Sequence, residues 1–195
     1  MAKASGGTRA VKPTKLSVSK RRSIYKYEIS MPDIEGKRSY FSEKSGGYML
    51  FMKGRKFDTF EDETARAMAD AGFFVVLTPE GGVKFRTAKS KKKEGDYVYS
   101  DGLVQGFAYE QQTKKPINKN FQNLVNSVDN ALQHAKNKGA QIPLIYDKYA
   151  SYHREHIEAG IEQFENNCSY RFKAILVVDS KKNVWQHIHN KKRVR

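Results

Sequence analysis

Residues Phe172–Val178 (FKAILVV) form a run with almost no polar interruption, and no other feature constrains the fold as tightly. A short apolar run bounded by turn residues reads as a strand buried within a sheet. Phe73–Leu77 (FFVVL), stopped by PEGG, reads the same way, and Ile142–Tyr146 is a shorter strand. Between these runs the spacing turns helical. Over 58–71, Asp58 or Thr59 can cap, Asp62 and Glu63 load the first turn where the dipole favours acids, and Gly72 ends the helix. From Asn118 to Gly139, Phe121, Leu124, Val125, Val128, Ala131, Leu132 and Ala135 recur at helical period. A third helix covers about 151–166, with Ile157, Ile161 and Phe164 inward. Val83–Thr87 is expected to return antiparallel from FFVVL, and Val184–Ile188 to pair back across a turn at 179–183. Ile24–Ile29 and Gly47–Met52 carry weaker strand or short-helix signals. The order predicts a mixed α/β domain, one central sheet with helices on both faces.

At 195 residues the chain suits one domain, which we place at 23–190. Lys plus Arg exceed Asp plus Glu by 15, and much of the excess is terminal. Residues 1–22 hold seven basic side chains and no acid, and 191–195 (KKRVR) hold four more. We read the first segment as a disordered basic arm and the second as a basic tail. Such charge points to a polyanionic partner without identifying it. One cysteine, Cys168, excludes an internal disulfide framework and a Cys-based zinc cluster, which suits a reducing cytoplasmic interior. No run approaches a membrane span, and the polar N-terminus lacks the apolar core of a secretory signal.

Chemistry concentrates in YVYSDGLVQGFAYEQQT (97–113), read as two strands joined by a Gly-containing turn, with Asp101 just before the turn. Alternation puts Ala108, Glu110 and Gln112 on one face and Phe107, Tyr109 and Gln111 on the other. An acid followed by acid-x-amide can hold a hard cation such as Mg²⁺ or Mn²⁺, whose shell the phosphates of a substrate complete. Glu63 could supply a third oxygen. Lys114, Lys115 and Lys119 follow closely enough to bind phosphate, and the run around Lys91 and Lys92 could clamp a nucleic-acid backbone. Tyr97, Tyr99 and Tyr109 could stack on bases or pack as cross-strand pairs.

SGGY (45–48), ETARAMADAGFFVVL (63–77), SDGLVQGFAYEQQT (100–113) and NLVNSVDNALQHAKNKGAQIPLI (123–145) together resemble the PD-(D/E)xK nuclease superfamily. More narrowly they resemble the tRNA-nuclease domains at the C-termini of contact-dependent growth-inhibition toxins and relatives in mobile elements. The resemblance implies a restriction-endonuclease-like sheet and a Mg²⁺-dependent nuclease with metal ligands at Glu63, Asp101 and Glu110. It also implies structured RNA such as tRNA ahead of DNA, and an acidic immunity protein as partner. Gln112 stands where the superfamily has lysine. Its amide can orient water but cannot deprotonate it.

Other readings stay open on residues alone. A non-catalytic nucleic-acid binder on the same fold would bind without metal, and an assembly protein would depend on its tails. His153-x-x-His156 or His187-x-His189 could serve a metal site or a metal-free ribonuclease. No Ser/His/Asp triad, phosphate-binding loop or dinucleotide fingerprint is visible.

Overall fold

The computed structural model describes residues 15–79, 101–116 and 118–187, with the backbone alone of 83–84 and 97–98. Helix α1 (Val18–Glu28) precedes strands β1 (Tyr40–Phe41) and β2 (Tyr48–Phe51), helix α2 (Thr59–Asp70) and strands β3 (Phe74–Leu77), β4 (Val83–Lys84), β5 (Tyr97–Val98), β6 (Gly102–Val104) and β7 (Phe107–Thr113). Helix α3 (Phe121–Asn137), β8 (Ile142–Tyr146), α4 (Arg154–Asn167), β9 (Ile175–Val178) and β10 (Val184–His187) complete the order.

Eight strands hydrogen-bond as β1-β2-β3-β6-β7-β8-β9-β10. The β2–β3, β7–β8 and β8–β9 pairs are parallel. The mixed α/β sheet is therefore as expected, and both faces are covered. Ala65, Met68 and Ala69 of α2 pack on Met49, Val75, Leu77, Tyr109, Leu144 and Leu176. On the opposite face Val128 and Leu132 of α3 and Ile157 and Ile161 of α4 pack on Ile145, Ile175 and Val177. Strand alternation sends successive residues of β8 and β9 into two apolar cores, so neither strand shows polar interruption.

Two expectations change, and of two alternatives left open for Ile24–Ile29 one is realised. Val83–Lys84 pairs with β5 instead of returning on β3. Strand β3 already has β2 on one side and β6 on the other, leaving no free edge for it. The basic arm is shorter than 1–22, because Val18–Arg22 open α1, with Ser17 as N-cap. Arg21 is buried, its Nη1 donating to the Ser45 and Gly72 carbonyls at 3.2 Å each, which ties the helix to the domain. Ile24–Ile29 accordingly reads as helix. Residues 1–14 and 188–195 lie outside the described residues. Among the described residues no helix is long and apolar enough to cross a membrane.

Helices α3 and α4 approach closely at Gly160, where an added Cβ would lie 2.5 Å from the Val128 Cβ. Gly160→Ala is expected to destabilise the fold by about 1–3 kcal/mol, as overpacking does. Urea unfolding checks this.

Candidate active site

Strands β6 and β7 turn at Gln105 and Gly106, whose φ angles of 50° and 77° are left-handed in succession. That is the two-residue turn whose twist suits a hairpin. Asp101 thus stands at the open end of the hairpin, not beside its turn as the sequence suggested. Gly102 instead begins β6, pressed so close to β3 that a Cβ would meet the Val76 carbonyl at 2.1 Å.

The β6–β7 register pairs Gly102 with Tyr109, and Asp101 stands just before this last pair. The Asp101 N–H donates to the Tyr109 carbonyl at 3.1 Å, and its Oδ2 accepts from the Gln111 N–H at 2.6 Å. Its carbonyl accepts from the Thr78 N–H at 3.3 Å and Arg55 Nη1 at 2.5 Å. Arg55 also donates to the Thr78 carbonyl and pairs with Glu61. The expected alternation holds along β7. Gln111 turns toward α2, where its Oε1 accepts from Thr64 Oγ1 at 2.5 Å. Glu110 turns toward α3, with its Oε1 3.2 Å from His134 Nε2.

Glu110 is 6% exposed. Burial first, and then the charge of Asp101, push its carboxyl up to about 7, with Lys138 pulling the other way. Asp101 is also raised, because burial outweighs the Gln111 N–H and the Arg55 and Lys138 charges. Two carboxyls of one hairpin that both resist ionising suit a divalent cation, which would relieve Glu110 of the Asp101 charge. The donors present therefore fit a hard cation held through two carboxylates.

Glu63 does not join them. Its Oε2 accepts from the Tyr146 hydroxyl at 2.5 Å and Lys182 Nζ at 2.6 Å, with Lys148 Nζ at 3.5 Å. Those donors hold its carboxyl down near 2. Among the described residues no group of three or more His, Cys, Asp or Glu side chains gathers to hold a metal. Glu63 stands apart from Asp101 and Glu110, because the topology turns it toward the end of β8. Gln112 shares the Glu110 side of β7, and its Nε2 donates to the Gln111 carbonyl at 2.8 Å. Lys115 and Lys119 are exposed beyond the end of β7 and Lys114 is half-buried there. Lys91, Lys92, Tyr99 and His189 lie outside the described residues. His156 has a structural role, its Nδ1 accepting the His153 N–H at 2.9 Å at the start of α4.

Sequence reading missed Arg55, His134 and Lys138. The last two occupy the end of α3, and Gly139 (φ 76°) turns the chain straight into β8 beside Glu110. The cluster of His134, Lys136 and Lys138 before that glycine was the available signal.

No family model matches the chain, and no curated protein matches it. Among solved structures it is similar to the CdiA-CT/CdiI toxin and immunity complex from Burkholderia pseudomallei, at 18% identity and a TM-score of 0.44. That alignment covers 70% of this chain and 96% of the other.

Proposed function

We propose that this protein is a metal-dependent nuclease whose centre is the Asp101–Glu110 pair. The observation that carries the reading is a buried carboxyl, Glu110, that feels the charge of the half-buried Asp101 from the same hairpin, in a chain of net charge +15. Asp101 and Glu110 would hold Mg²⁺ or Mn²⁺. When bound, the ion would offset their charge and make water acidic enough to attack a phosphodiester. Arg55 and the Thr78 N–H fix the Asp101 backbone, while the Gln111 N–H aims its carboxylate. Lys138 supplies positive charge beside both acids, suited to a scissile phosphate. The Glu110–His134 contact gives a proton a route between a buried carboxyl and a half-exposed imidazole. Gln112 can orient a water through its amide. The sequence resemblance extends the reading to tRNA-type RNA ahead of DNA, to a toxin's role, and to an acidic immunity partner.

Glu110 must lose its proton to hold a cation. Cleavage at metal concentrations below saturation is therefore expected to rise with pH, with less metal needed at higher pH. The test is cleavage of total tRNA and plasmid DNA in Mg²⁺, Mn²⁺ or EDTA between pH 5.5 and 8.5. Metal-dependent cleavage with that profile supports the centre, and the substrate cut decides between RNA and DNA. Cleavage surviving EDTA would replace it with a histidine-based ribonuclease. Binding without cleavage would reduce the protein to a nucleic-acid binder.

A further inference from the structure

Strands β7, β8 and β9 run parallel, and the register sets Thr113 against Tyr146 and Tyr146 against Val178. The segments that follow the three strands therefore emerge along one edge, the edge where ligands bind in parallel sheets. They bring Lys115, Lys148 and Lys182 there. Lys115 Nζ lies 5.4 Å from the ring centroid of Tyr149, which is 38% exposed. Phe121, 51% exposed, opens α3 beside His156, their rings 5.0 Å apart. Lys148 and Lys182 share Glu63, leaving an uncompensated positive charge between them. The acids nearby are committed elsewhere. Asp147 accepts from the Ser151 and Tyr152 N–H groups, and Asp179 from Lys181 and Asn183. Two non-glycine residues here are left-handed, Ala150 (φ 48°) next to Tyr149 and Lys182 itself (φ 67°). Such backbone costs about 1 kcal/mol or more and persists where the surroundings enforce it.

We propose that this edge binds a single, unpaired strand of nucleic acid, with bases stacked on Tyr149 and Phe121 and phosphates on Lys115, Lys148 and Lys182. For its substrate class the proposal rests on the nuclease reading above. Aromatic faces accept any unpaired base, whereas the bases of a duplex stack on one another and leave an exposed ring nothing to grip. Thr113 lies three residues beyond Glu110 on β7, roughly 10 Å along the strand. A strand on this edge thus passes close to the carboxylate pair.

The test is fluorescence anisotropy with a labelled oligonucleotide and its duplex in EDTA, so that affinity is read without cleavage. The single strand should bind more tightly. Tyr149→Ala and Phe121→Ala should each weaken it by about 5–150-fold, the range of one missing base stack, with little effect on the duplex. Lys148→Ala with Lys182→Ala should flatten the salt dependence by roughly 0.7 in log–log slope for each phosphate no longer neutralised. Glu63→Gln should do the opposite and tighten binding, by freeing both lysines. Circular dichroism confirms that each variant is folded. Equal affinity for both forms, or aromatic variants that bind like wild type, would overturn the proposal even where metal-dependent cleavage stands. The expected binding pattern without cleavage would uphold this surface and sink the nuclease reading instead.

Discussion

Glu110→Gln is expected to lower metal-dependent cleavage by about 10²–10⁴-fold and, at pH 8, to make the fold more stable. The activity loss follows because an amide cannot supply the second negative ligand. The stability gain follows from linkage. Glu110 ionises near its ordinary 4.5 when unfolded but only at about 7 when folded. Between those values folding takes up a proton, so the site's contribution to stability falls as pH rises, and above 7 the whole cost is present. At 1.36 kcal/mol per pK unit the cost is about 3 kcal/mol, which glutamine avoids. Urea unfolding at pH 8 and pH 4.5 reads it: the gain should be full at the first and near zero at the second. A variant that keeps activity, or is no more stable at pH 8, contradicts this account of Glu110.

Arg55→Ala should be the most damaging of the substitutions proposed for the fold, at about 3–5 kcal/mol. Its guanidinium is nine-tenths buried and reaches Glu61 and the Thr78 and Asp101 carbonyls together. Removing it strands a partly buried carboxylate and takes a charge-assisted donor from two carbonyls where β3 meets β6. Lysine should recover less than half of the loss, because an ammonium cannot reproduce the planar fork that spans three acceptors. Thermal unfolding of the two variants checks this. Arg55→Ala within about 1 kcal/mol of wild type would show that loop 53–57 is not what fixes Asp101.

The elements that were legible carry their own periodicity. FKAILVV lies between two apolar cores, FFVVL sends Phe73, Val75 and Leu77 into one of them, and α3 shows a full apolar stripe, so local pattern and tertiary environment agree. Helix α1 was obscured because the residue it buries is Arg21, which satisfies carbonyls instead of filling an apolar stripe. Asp101 and Glu110 fall near one another because both belong to one hairpin, which is short-range. Glu63 was not readable, because first-turn acids look alike whatever they face. Its partners Tyr146 and Lys182 stand 83 and 119 residues away. Asp101-Gly102 resembled a turn because that dipeptide usually makes one. Here glycine is needed for the close approach of β3, a demand that only the assembled sheet reveals.

A calorimetric titration of Mn²⁺ into the wild-type chain and Glu110→Gln, at pH 6 and pH 8, tests the carboxylate pair most directly. The account predicts an ion held by the wild type, bound more tightly at pH 8, released protons near pH 7, and no such binding in the variant. Equal binding by both proteins, or affinity indifferent to pH, would contradict it.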